Sequence, residues 1–243
     1  MTEKTTVALV TGANKGIGYE IARGLAARGA TVLLGARDAG RRDAAVRRLA
    51  DEGLEVTGIE LDVTDAATIE AAAKTIDEGY GRLDVLVNNA GITGDFSQAP
   101  GAGGLDQVRK VFDVNVFGVM AVTDAMLPLL LRSTGARVVN VSSIVGSLAD
   151  MSSPSSVVAD MPAMLGYPVS KTALNAVTAQ YAKHVRKEGI LVNAVCPGYT
   201  ATDLNAFRGD RTPEQGAAIA IELALGADGA TAGFFNDEGA VAW

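Results

Sequence analysis

The stretch Thr11-Gly-Ala-Asn-Lys-Gly-Ile-Gly18 follows directly on an apolar run, residues 6–11, and leads into an amphipathic segment, residues 16–28. Glycines at 12, 16 and 18 let the backbone turn tightly and let a pyrophosphate approach its amide groups. They also let the next helix aim its positive N-terminus at the anion. The spacing differs from Gly-x-Gly-x-x-Gly, but the physical work is the same. On this reading Gly12, Asn14, Lys15, Gly16, Ile17 and Gly18 form the cradle of a dinucleotide.

Working outward, short β-type runs alternate with helical stretches. The runs at 6–11, 31–35, 55–60, 83–88, 137–142, 190–195 and 233–235 are expected strands. Between them, 16–28, 43–51, 65–80, 105–131, 167–187 and 213–225 carry helical patterning. Continuous apolar runs suit parallel strands covered on both faces. The expectation is therefore an α/β doubly wound parallel sheet (a Rossmann fold) of about seven strands with helices on both faces, built as one domain over residues 1–243. A serine-rich segment at 147–165, holding three of the six methionines, interrupts the alternation as an insertion. It falls at the carboxyl end of a strand, where ligands bind in open α/β sheets.

The helical stretch after that insertion opens with Gly-Tyr167-Pro-Val-Ser-Lys171. Residues at i and i+4 share a helix face, so the Lys171 ammonium is expected beside the Tyr167 phenol. A nearby positive charge favours the phenolate and would draw the phenol toward a pKa useful for proton transfer. Just past the second strand stands Arg37, where a dinucleotide fold places the residue that reads the adenosine ribose. An arginine there accommodates a 2′-phosphate, so Arg37 with Lys15 points to NADP(H).

A formal charge of −7 and the lack of any Lys/Arg-rich block argue against nucleic acid or an anionic membrane as partner. The polar start and the short apolar run at 7–10 match neither a signal core nor a span, so a cytoplasmic protein is expected. The single cysteine, Cys196, precedes Pro197 and reads as a buried thiol, and His184 has no second ligand, so no metal site is expected.

With Asn88-Asn-Ala-Gly91 after the fourth strand and Asn-Val-Ser-Ser143 after the fifth, the chain resembles the short-chain dehydrogenase/reductase family across nearly its whole length. The resemblance implies a catalytic tetrad of Asn115, Ser143, Tyr167 and Lys171. Ser143 would bond the substrate oxygen, and Tyr167 would donate the proton. Lys171 would lower the tyrosine pKa and hold the nicotinamide ribose, and Asn115 would anchor a water linking Lys171 to solvent. The resemblance also places Asp62 and Val63 beside the adenine, Asn89, Ala90 and Gly91 along the ribose, and Pro197, Gly198, Thr200 and Thr202 around the carboxamide.

Within the family the chain looks most like the carbonyl reductases, in its Gly-Ala-Asn-Lys-Gly-Ile-Gly loop, in Leu-Leu-Gly-Ala-Arg-Asp38 and in its ending at Trp243. The expected activity is NADPH-dependent reduction of a ketone or aldehyde. An alcohol, steroid or sugar-type dehydrogenase of the same family, or a non-catalytic NADP-binding sensor, are the alternatives. A sensor would be expected to lose one of Ser143, Tyr167 or Lys171. The 24 residues from Ser143 to Tyr167 exceed the common family spacing, so a monomer or dimer is expected over a tetramer. Phe96, Met151, Met161, Met164, Tyr199 and Phe207 are positional candidates for the substrate pocket.

Overall fold

A computed structural model describes residues 5–226 and 229–243. Its first half runs β1 (Val7–Thr11), α1 (Gly16–Ala26), β2 (Thr31–Ala36), α2 (Ala39–Asp51), β3 (Val56–Glu60), α3 (Ala66–Tyr80) and β4 (Val85–Asn88). The second half runs α4 (Leu105–Phe112), a π-helical turn (Asp113–Phe117), α5 (Gly118–Leu130), β5 (Arg137–Val141), α6 (Leu148–Ser152) and α7 (Tyr167–His184). It ends with β6 (Leu191–Val195), α8 (Pro213–Leu225), β7 (Phe234–Asn236) and β8 (Gly239–Ala240). The sheet order is β3-β2-β1-β4-β5-β6-β7-β8. The seven expected strands are parallel, and β8 adds a short antiparallel edge on β7.

Period-two alternation divides the core. Ala8, Val10, Val32, Leu34, Val85 and Val87 pack with α1, α2 and α8, whereas Val7, Leu9, Leu33 and Leu86 pack with α3, α5 and α7. Both sets are apolar because helices cover both faces, which is why these strands read as continuous apolar runs. Each fully buried leucine among them, such as Leu9 or Leu86, contributes roughly 1.5–3 kcal/mol of transfer free energy. The run Leu105–Leu130 is apolar and long enough to cross a membrane, but half of it is buried against the body of the protein.

Two departures from the sequence reading bear on the site. Helix α2 starts at Ala39 instead of 43, because the Asp38 side chain accepts a hydrogen bond from the Arg41 amide at 2.8 Å and caps it. The expected helix 105–131 is interrupted by the π turn that contains Asn115. The order reverses between β1 and β4, whose carboxyl ends open the crevice where ligands bind in this topology.

Candidate active site

At that crevice the glycine turn is docked on the end of β4. Gly12 has φ of +62°, and a Cβ there would lie 2.8 Å from the Ala90 Cα, so only glycine fits. Asn89 donates its side-chain amide to the carbonyls of Thr11 (2.9 Å) and Gly12 (3.2 Å), while the amides of Asn89 and Ala90 both donate to Thr11 Oγ1 at 3.0 Å. Asn89 and Ala90 therefore hold the turn in shape. Helix α1 begins at Gly16 with Lys15 as its N-cap, no side-chain cap and no acid in its first turn. Its leading amides, with Gly16, Ile17 and Gly18 among them, are thus free of internal competition for an anion. This cradle fits a dinucleotide phosphate.

Beside it an open groove of about 290 Å³ is lined by Asn14, Lys15, Arg41, Ala44, Ala45, Arg48 and Asp203. It gathers three cations against one carboxylate, and Lys15 is ion-paired with that carboxylate, Asp203. Arg48 is steadied by its guanidinium carbon lying 4.4 Å from the centre of the Tyr19 ring. Arg37 stands apart at the end of β2, 71% exposed, with Nη1 4.0 Å from Asp62 Oδ2. The sequence reading paired Lys15 with Arg37; the structure pairs Lys15 with Arg41 and Arg48 along the groove. Arg41 reaches the groove because α2 starts at Ala39, four residues before the segment the sequence patterning predicts, and the Asp38 N-cap is the sequence signal for that start. Burial works to raise the Asp62 carboxyl, but hydrogen bonds from the Thr64 amide and hydroxyl, with Arg37 nearby, hold it below its ordinary value. Val63 is buried against Gly118, the first residue of α5.

The four expected catalytic residues come together from three elements. Asn115 is 1% exposed; its Nδ2 donates to Ile92 O (2.9 Å) and to Ser170 Oγ (3.0 Å), and its Oδ1 accepts from the Ile92 amide. Ser170 in turn donates to the Tyr167 carbonyl at 2.7 Å, tying the π turn to α7. Gly91 sits between them, since a Cβ there would lie 3.4 Å from Asn115 Oδ1 and 3.7 Å from Lys171 Nζ. Ser143 follows β5 and hydrogen-bonds the Tyr167 phenol. Lys171, 4% exposed, lies with Nζ 5.7 Å from the Tyr167 ring centre.

The electrostatics differ from the expectation. Burial pushes the Tyr167 phenol up to about 12, opposed by the Ser143 hydrogen bond. Burial also pushes Lys171 down to about 8, and its Nζ donates to the Val141 carbonyl at 2.7 Å. Desolvation is the largest cause of both shifts, so the phenol keeps its proton as a neutral acid.

After β6 the chain returns over the glycine turn. Pro197 is buried and Gly198 turns at φ +72°. Thr200 is buried and donates to the Pro197 carbonyl at 3.0 Å, so its hydroxyl serves its own loop. Thr202 caps the turn Asp203–Asn205, and its methyl would meet a Cβ on Gly16 at 3.3 Å. Cys196 is buried, and burial raises its thiol. Among the described residues no group of three or more His, Cys, Asp or Glu is placed to hold a metal ion. The Phe96 side chain lies outside what the structure describes.

The family model for short chain dehydrogenases matches residues 6–212. The chain belongs to the short-chain dehydrogenase/reductase family. The short-chain dehydrogenase anuI of Penicillium roqueforti is 37% identical over 224 residues, spanning 89% of this chain and 87% of its own. The structure of salutaridine reductase from Papaver somniferum matches with a TM-score of 0.81 at 32% identity, over 96% of this chain and 99% of that one. The active-site complex of Pseudomonas aeruginosa RhlG with NADP matches with a TM-score of 0.81 at 32% identity, over 96% of this chain and 94% of that one. Like its relatives, this short-chain dehydrogenase is an oxidoreductase of CH–OH and C=O groups that uses a nicotinamide cofactor.

Proposed function

We propose that this short-chain dehydrogenase uses NADPH to reduce ketones or aldehydes to alcohols, as a carbonyl reductase. The observation that carries the cofactor choice is the groove of Lys15, Arg41 and Arg48 beside the N-terminus of α1. A 2′-phosphate brings about two negative charges that a free ribose hydroxyl lacks, and clustered guanidinium groups bind phosphate bidentately. Arg37 at the end of β2 adds a fourth cation near the adenosine side.

Bound NADPH would supply the hydride to the carbonyl carbon. Tyr167, whose phenol burial pushes up to about 12, is in the form that gives a proton to the carbonyl oxygen at neutral pH. Ser143, bonded to the same phenol, is placed to donate to that oxygen as negative charge develops. The Lys171 ammonium beneath the ring stabilises the phenolate left behind. Reduction is preferred to an alcohol, steroid or sugar dehydrogenase role because NADP-linked enzymes draw on a pool the cell keeps reduced; burial of the phenol would move the pH profile of alcohol oxidation upward. A sensor role is disfavoured because the Ser143, Tyr167 and Lys171 set is intact and assembled.

For substrate we infer an uncharged, largely apolar ketone. Leu148, Met151 and Met161 expose apolar surface in the insertion that joins Ser143 to Tyr167 along the chain, and Tyr199 and Phe207 do so after β6. Methionines adapt to varied shapes. The reading extends to a cytoplasmic monomer or dimer with small molecules as its partners, because the insertion occupies space beside the N-terminus of α7. Initial rates with NADPH and NADH across simple ketones, aldehydes, keto esters and quinones test it. A preference for NADH, or no turnover of any carbonyl, would overturn it.

A further inference from the structure

The turn that carries Ser143 is held by a side chain outside the tetrad. Ser143 is in extended backbone (φ −164°, ψ 153°) between β5 and a 3-10 turn, Ile144–Gly146. Asn175 lies eight residues beyond Tyr167 and four beyond Lys171, on the same face of α7, and is 4% exposed. Its Oδ1 accepts from Ser142 Oγ at 2.6 Å, and its Nδ2 donates to the Gly146 carbonyl at 3.1 Å. A single amide thus grips the residue before Ser143 and the residue that closes the turn after it.

The backbone around this grip is equally fixed. Ser142 N donates to the Val195 carbonyl at 2.7 Å, and Gly146 N donates to the Ser143 carbonyl at 2.8 Å. Gly146 rests directly on α7, since a Cβ there would lie 2.8 Å from both the carbonyl carbon and the Cβ of Lys171. The turn is therefore seated on the same stretch of helix that carries Tyr167 and Lys171. Asparagine suits the site because it meets one hydroxyl donor and one carbonyl acceptor. Aspartate would set a second oxygen against the Gly146 carbonyl, and leucine fills similar volume with neither bond.

We propose that Asn175 is a positioning residue that clamps the Ser143 turn onto α7 and so sets the reach between the Ser143 hydroxyl and the Tyr167 phenol. The inference rests on the catalytic reading of Ser143 and Tyr167. Misplacement of a catalytic group by about 1 Å costs on the order of 100-fold in rate. A group that acts only through Ser143 should lose its effect once Ser143 is gone.

The test is a double-mutant cycle on the full chain with NADPH and a ketone the parent reduces. Asn175→Leu should lower kcat roughly 10- to 100-fold while the NADPH dissociation constant stays within about two-fold. Ser143→Ala should lower kcat at least as far, and the double variant should be no slower than Ser143→Ala alone within about two-fold. The apparent pKa for alcohol oxidation should rise in Asn175→Leu as in Ser143→Ala, since the Ser143 bond is what lowers the phenol. Asn175→Asp keeps the acceptor for Ser142 and should regain rate toward acidic pH, as its carboxyl protonates and donates to Gly146. It takes the place of the leucine variant in the same cycle if that variant fails to fold by circular dichroism. Parental kcat in both Asn175 variants, or losses that multiply in the double variant, overturns the clamp. Parental turnover in Ser143→Ala alone refutes instead the catalytic reading, and the clamp with it.

Discussion

Lys171 Nζ lies 5.7 Å from the centre of the Tyr167 ring and directs a 2.7 Å hydrogen bond to the carbonyl of Val141. The two side chains meet as i,i+4 spacing requires, yet burial dominates both. The phenol stands near 12 and the ammonium near 8, each displaced toward its neutral form. On the proposed mechanism, the pair holds a proton on Tyr167 until a carbonyl oxygen takes it.

Tyr167→Phe removes that proton and leaves the glycine turn and the basic groove untouched. The expected result is a loss of kcat of roughly 100- to 10,000-fold, the range general acids supply, with NADPH affinity within about two-fold. Steady-state rates and a fluorescence titration of NADPH check it. Near-normal reduction by the variant would remove Tyr167 from the chemistry.

Stability should carry opposite pH signatures from the two residues. Lys171 binds its proton less tightly folded (about 8) than unfolded (10.5), so between those values the unfolded chain holds more protons and stability rises with pH. Tyr167 is the reverse: its contribution is full below the ordinary value of 10.0 and is lost as pH climbs through about 12. Urea unfolding from pH 7 to 11 should lose the first slope in Lys171→Met and the start of the second in Tyr167→Phe. Identical slopes in parent and Lys171→Met between pH 8 and 10.5 would contradict this assignment.

The basic groove predicts which cation discriminates the cofactor. Arg41→Ala should raise KM for NADPH by roughly 10- to 100-fold, the worth of a charge-assisted hydrogen bond, with little change for NADH. Arg37→Asp should also narrow the preference, since it reverses a charge at the end of β2 beside Asp62. Asp203→Asn frees Lys15 from its exposed carboxylate partner and should lower KM for NADPH roughly two- to five-fold. Parallel kinetics with both cofactors decide it; an Arg41→Ala variant that weakens NADH and NADPH equally would place the phosphate elsewhere.

The insertion is tied at both ends, by the Ala149 amide to the Trp243 carbonyl and by the Leu165 amide to the Gln98 carbonyl. Shortening 147–165 between those ties should shift selectivity from bulky apolar ketones toward small ones and raise the mass seen by light scattering. An unchanged substrate range together with an unchanged mass would reduce the segment to a tolerated surface loop.

The presence of the glycine turn, the order of strands and helices along the chain, and the meeting of Tyr167 with Lys171 were legible in the sequence, because residue type and spacing over a few positions signal each of them. The turn's final shape is nonetheless held by Asn89 and Ala90 at the end of β4. Glycine spacing at 12, 16 and 18, the continuous apolar run of β1 and helical spacing along α7 are local signals. The tertiary structure decided what those signals do not reach. Asn115 is joined to α7 by Ser170, 55 residues away, and the Ser143 turn by Asn175, whose bond to Ser142 spans 33. Arg41 enters the groove only because α2 folds back beside the glycine turn. The protonation states of Tyr167 and Lys171 are set by how much water the surrounding chain excludes, and desolvation belongs to the packed fold, not to the spacing of two residues on a helix.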